Sequence, residues 1–326
     1  MQKIIYVNTV YSLFLSFLIA PDIEKNLYLF NEDFSIKILK NIDSKIILKK
    51  YKKIPKVIRW IFIRKYLKNF LNEYKSKFEG KDFYIQDHLM YSQFLLNNIQ
   101  AKFFLIEDGT INYTFVEDKI EEVIKENSIL YRKTYLVEKF FSIMGVSQKI
   151  EKIFLTGILP IPKSIEKKVE LAKITELWDR LSSEEKRKVL KIFNIELNMI
   201  EKLKKSKKGI LLITQPLSED KIIPEEEKIE IYREILLNKK VNKVFLKTHP
   251  REKTNYKKYF KEFDIEIIPK EFPIEILSFF NIEFEEVVTL FSTSVFNFKN
   301  KYKIDFIGVD NYPKLLEKFG NINFER

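Results

Sequence analysis

Short runs of bulky apolar residues return along this chain with room for one helix between each pair, and this alternation limits the fold more than any other feature. The first run is Lys3–Val7; others follow at 26–30, 44–50, 82–85, Lys102–Ile106 and 152–159. Runs that are apolar throughout, rather than every second residue, suit strands buried on both faces, as in a parallel sheet covered by helices. The intervening segments supply the helices. Asn8–Thr9 leads into one from about Val10 to Ala20, and Asp87 stands where it would N-cap the helix after 82–85. Residues 166–208 lack strand signals and read as helical. The pattern then restarts, with strands at 208–215, 243–248, 264–269, 285–291 and 303–308 and helices at 224–237 and 273–280. A chain of 326 residues exceeds what one core usually serves. The expectation is therefore two α/β domains, residues 1–165 and 208–326, with a helical connector over 166–207.

Composition removes several function classes. There is no cysteine, so neither disulfides nor thiolate metal sites can form, and two histidines make a His-rich metal site a poor reading. Seven glycines provide neither GxGxxG nor GxxxxGK[ST], which sets aside dinucleotide and P-loop chemistry. Any bound phosphate must be met by strand-end side chains and helix N-termini. A net charge of +12 favours anionic partners such as nucleotides, nucleic acid or an anionic surface. The apolar opening around 10–20 is broken by Ser12 and Ser16 and lacks a convincing small-residue cleavage site. It reads as the first unit of an α/β domain, and a cytoplasmic protein is expected.

Ligands of open α/β sheets sit beyond the carboxyl ends of the strands. Four polar clusters fall there: Glu107–Asp108–Gly109; Gln215 with Glu219 and Asp220; Lys247 with His249 and Pro250; and Ser292–Thr293–Ser294. Pro250 removes a backbone donor and ends sheet pairing beside His249. The three hydroxyls precede an apolar helix that they could cap, leaving its N–H groups to receive a phosphate. Pro273 opens a further helix with Glu275 in its first turn. Singly, each cluster is equally an ordinary turn or cap. His88, just after Asp87, reads as a residue bonded to nearby backbone, or as one that orients a ligand.

Taken in order, Glu107–Asp108–Gly109, His249–Pro250 and Ser292–Thr293–Ser294 resemble the motifs of bacterial sialyltransferases. With "TQPLSED", "KTHPRE", "TLFSTS" and the opening "VNTVYSLFLSFL", the chain looks most like glycosyltransferase family 52. The resemblance implies a GT-B architecture of two Rossmann-like domains facing across a cleft. It also implies an inverting, metal-independent transfer from CMP-sialic acid, with no cofactor, to lipooligosaccharide or capsular glycan. Asp108 would be the general base on the acceptor side, with Asp220 or Glu219 as the alternative base. His249 would meet the leaving phosphate together with Ser292, Thr293 and Ser294. Gly109, Gln215, Lys247, Pro250, Pro273 and Glu275 would lie on the donor side, and Asn8 and Thr9 would form a loop near the cleft. A homodimer is compatible with this reading.

Residues 49–69 carry nine Lys or Arg, no acid, and Tyr51, Trp60, Phe62 and Tyr66. They read either as a basic amphipathic helix for an anionic membrane, at the inner face of the bacterial plasma membrane, or as a helix buried against its own domain. Two other functions stay open. One is the same fold with a different sugar nucleotide. The other is a basic RNA-binding module, which no RRM, KH or helix-turn-helix pattern supports, so no nucleic-acid partner is expected.

Overall fold

The computed structural model describes residues 2–114, 129–320 and 322. The chain divides into two compact units, Met1–Ile192 and Phe193–Arg326. The first is built on seven parallel strands: β1 (Lys3–Val7), β2 (Leu27–Asn31), β3 (Lys45–Leu48), β4 (Asp82–Ile85), β5 (Lys102–Ile106), β6 (Ile150–Leu155) and β7 (Val169–Leu171). Their order in the sheet is β3-β2-β1-β4-β5-β6-β7. The second unit has five parallel strands: β8 (Gly209–Ile213), β9 (Lys243–Lys247), β10 (Asp264–Ile268), β11 (Phe284–Thr289) and β12 (Lys303–Phe306). Their order is β10-β9-β8-β11-β12.

Both orders run outward in one direction, return to the first strand, and continue on its other side. This is the doubly wound pattern, and the reversal opens a crevice between β1 and β4 in one unit and between β8 and β11 in the other. The strands that flank these points carry deeply buried side chains. Ile5, Val7, Ile85, Leu211, Leu212, Val287 and Val288 are fully enclosed. Burying each such side chain contributes roughly 1.5–3 kcal/mol before chain entropy is counted. The core of the first unit gathers residues between Ile4 and Ile165, and that of the second residues between Ile210 and Leu315.

Local chemistry fixes the strand-to-helix turns. Thr9 N-caps the helix Val10–Ile19 in a capping box: its hydroxyl accepts from the Ser12 N–H at 3.0 Å, and Ser12 Oγ accepts from the Thr9 N–H at 3.0 Å. At the start of β8, a Cβ on Gly209 would lie 2.3 Å from the Lys243 carbonyl oxygen, so only glycine lets β8 and β9 approach there.

Three expectations change. Residues 166–208 are not helical throughout: Val169–Leu171 pairs with β6 as a short edge strand, ahead of the helices Ile174–Arg180, Ser183–Ile192 and Leu197–Lys205. The unit division falls after Ile192, inside this stretch. Asp87 is not an N-cap. The helix Met90–Asn98 starts after Leu89, and the buried Asp87 carboxylate accepts the Met144 and Gly145 N–H groups at 2.8 and 2.7 Å. The segments after Pro273 and Ser292 are 3-10 turns, Ile274–Phe279 and Thr293–Phe298, and Ser292 makes no side-chain cap.

Candidate active site

In the first unit the polar residues collect where β1, β4, β5 and β6 end, on either side of the reversal point. Glu107 is wholly buried. Its carboxylate accepts the Tyr11 hydroxyl at 2.6 Å, the Tyr113 hydroxyl at 2.5 Å, and the Thr156 N–H and hydroxyl at 2.6 and 2.9 Å. Burial pushes this carboxyl up, and those four donors oppose it. With both oxygens engaged, Glu107 ties β5, β6 and the Val10–Ile19 helix together. It offers nothing to a ligand.

Asp108 is the carboxylate left partly exposed. Its N–H donates to Asn112 Oδ1 at 2.6 Å. Its side chain lies 3.5 Å from Thr9 Oγ1 and 3.4 Å from His88 Nε2. Gly109 follows with a φ of +74° and open space where a Cβ would be, so it is needed for the turn rather than for room. Asn8 is held differently: its Oδ1 accepts the Asn31 side-chain amide at 3.0 Å, and Asn31 in turn accepts the Tyr6 hydroxyl. The structure thus brings together Thr9, Asp108 and a residue without an assigned role, His88, whose Nδ1 is buried with no hydrogen-bond partner.

In the second unit the extended backbone stops after Lys247, and a turn begins at Pro250. Lys247, His249 and Arg251 therefore do not form one face. Lys247 is buried, and its ammonium donates to the Thr248 and Lys270 carbonyls at 2.9 and 3.3 Å. Burial pushes its pKa down to about 8, against the pull of the buried Glu275 and of Glu252. The His249 Nδ1 accepts the Arg251 N–H at 3.2 Å, which leaves the ring proton on Nε2. Burial and the Arg251 and Lys247 cations push this imidazole down to about 4, so it is neutral near pH 7.

Glu252 sets the position of the His249 turn. One oxygen accepts the His249 N–H and the Thr214 hydroxyl, both at 2.7 Å, and the other accepts the Tyr256 hydroxyl at 2.6 Å. Lys228, entirely enclosed, lies 3.7 Å from Glu252 and 2.8 Å from Glu219. Burial pushes the Glu219 carboxyl up, but Lys228 and the Lys253 N–H outweigh it and hold the pKa down to about 2. Asp220 is paired with Arg251. Across the reversal point, Thr289 Oγ1 donates to the Ile213 carbonyl at 2.9 Å and accepts the Ser292 N–H at 3.1 Å. Ser292 and Ser294 share a 2.8 Å hydroxyl contact, and Gln215 donates its N–H to the Tyr232 hydroxyl. His249, Gln215 and the serines thus occupy the carboxyl ends of β9, β8 and β11.

Residues 30–310 match the sequence profile of Glycosyltransferase family 52. The chain belongs to this family. It is 38% identical over 258 residues to an uncharacterized protein of Haemophilus influenzae, an alignment that spans 78% of each chain. Among solved structures it is similar to the GT-B domain of a sialyltransferase from Photobacterium damselae, with a TM-score of 0.57 and 14% identity over 94% of this chain and 90% of that one. It is also similar to a Photobacterium 2,6-sialyltransferase captured with CMP and lactose, with a TM-score of 0.58 and 12% identity over 93% and 70% of the two chains. This family 52 chain thus has the GT-B architecture, each of its units a Rossmann-like sheet.

Proposed function

We propose that this glycosyltransferase moves sialic acid from CMP-sialic acid to a hydroxyl of a terminal sugar on a lipooligosaccharide or capsular glycan, with inversion and without a required metal. Family 52 membership and the GT-B fold support the reaction class. The observation that carries the assignment is Asp108, a partly exposed carboxylate at the reversal point of the first sheet, flanked by His88 and Thr9. It takes the proton of the acceptor hydroxyl as that oxygen attacks the anomeric carbon. His88 is a positioning residue that holds the carboxylate.

As the bond from the anomeric carbon to the phosphate oxygen breaks, its electron pair passes to CMP. His249 then donates from Nε2, and the Ser292 and Ser294 hydroxyls share the new charge. Glu275 serves the nucleoside side. Glu219 is a poor alternative base, since its carboxylate already accepts from Lys228 and Lys253. Asp220 is committed to Arg251.

Two readouts on one set of proteins test this. CMP at a hundred times its Kd should stabilise the wild type by about 2.7 kcal/mol in a thermal-shift assay, while UDP, GDP and a short RNA should not. Asp108→Asn should keep that shift and lose roughly 10²–10⁴-fold in transfer rate, while Asp220→Asn stays active. Stabilisation by UDP alone would identify a different sugar nucleotide. An inactive Asp220→Asn beside an active Asp108→Asn would move the base.

A further inference from the structure

The helix Lys56–Phe78 buries Ile63, Leu67, Phe70 and Phe78 and leaves its outer side uncovered. Val57 is 82% exposed, and Ile58, Trp60, Ile61 and Phe62 are each 39–47% exposed. Large apolar side chains concentrated this way mark an interaction surface, whereas scattered ones need no explanation. The surroundings carry one sign of charge. No acidic residue occurs from Lys49 to Asn72. Lys50 and Lys52 share Asp33, but among the described residues Lys53, Lys65 and Lys68 have no ion-pair partner.

Farther along the same helix, Arg64 and Lys68 join Arg132 and Lys133 around a cavity of about 430 Å³, where Glu138 is the acidic side chain. The Nε of Arg132 is buried without a hydrogen-bond partner. Among the described residues no helix is long and apolar enough to cross a membrane.

We propose that this face docks on an anionic lipid bilayer. The side chains of residues 57–62 enter the headgroup boundary, and the cavity beside Arg64 and Lys68 receives a lipid phosphate. Apolar and aromatic groups at the start of the helix, with cations along it, are the two attractions a bilayer surface rewards together. A second copy of the chain fits less well, because a symmetric contact would set two like-charged patches against each other. Nucleic acid would use the cations but has nothing for the aliphatic Val57, Ile58 and Ile61. The inference does not rest on the identity of the donor or acceptor.

Flotation of the full chain with phosphatidylcholine vesicles, plain or mixed with phosphatidylglycerol, tests it, with tryptophan emission as a second readout. The other tryptophan, Trp178, is buried, so a blue shift reports Trp60. We expect binding and a blue shift with the anionic vesicles alone, both weakened by salt. The double change Lys65→Gln/Lys68→Gln should lower partitioning on the order of thirtyfold. Ile61→Ser/Phe62→Ser should remove the blue shift without lowering the melting temperature. Equal binding to neutral vesicles, or no binding to either, overturns the proposal. So does a wild-type dimer that ignores vesicles and is dissociated by Ile61→Ser/Phe62→Ser, or RNA binding in place of vesicle binding.

Discussion

His249 starts the proposed reaction uncharged, because burial and the Arg251 and Lys247 cations hold its pKa near 4. The sign of the consequence follows from proton counts. Between pH 6.5 and 4 the unfolded chain binds a proton at this site that the folded chain refuses. The stability attached to the neutral ring is thus complete above pH 6.5 and is lost as pH falls through 4, by up to about 3 kcal/mol. Denaturant titrations across that range should show a shallower acid-side loss in His249→Gln than in the wild type. Equal slopes would mean the ring is not held neutral. The position of His249 just past a strand was legible from sequence, because an apolar run gives way there to Lys247, Thr248, His249 and Pro250. His88 was not. Its contact is with Asp108, twenty positions away, and nothing within the segment "QDHLM" signals a partner in the turn after the next strand.

Strands and helices were readable wherever burial wrote a continuous apolar run, as in "KIIYV", "GILLI" and "KVFLK". β7 escaped because it is an edge strand of three residues, with Glu170 and Leu171 exposed, and so leaves no such run. Asp87 was mistaken for a cap because the N–H groups that donate to it lie on a segment almost sixty residues later, a pairing that local spacing does not carry. Gly209 shows the reverse, a constraint visible only in space. A methyl group there would press on the Lys243 carbonyl, and β8 and β9 would have to part at the centre of their sheet. Gly209→Ala should therefore cost roughly 1–3 kcal/mol of unfolding free energy, read as a lower denaturation midpoint. An unchanged midpoint would show that the strands shift freely at this point.

Each unit has its own parallel sheet and a core drawn from its own residues. Residues 193–326 expressed alone should thus unfold cooperatively and be stabilised by CMP, measured by calorimetry with and without the nucleotide. A cooperative fragment indifferent to CMP would take the donor role away from the second unit. The proposed donor residues of this unit, from Gln215 to Ser294, were singled out in the sequence through the order of their motifs alone. Lys228 was not legible, since it follows three glutamates near the start of the Glu225–Lys239 helix and looks solvated. That enclosed ammonium between Glu219 and Glu252 limits how the protein can vary over generations. Losing Lys228 leaves Glu252 buried without its counter-charge, and losing either glutamate leaves the enclosed ammonium a single partner. Positions 219, 228 and 252 are thus free to change only in concert, while the exposed Asp220–Arg251 pair beside them can drift alone.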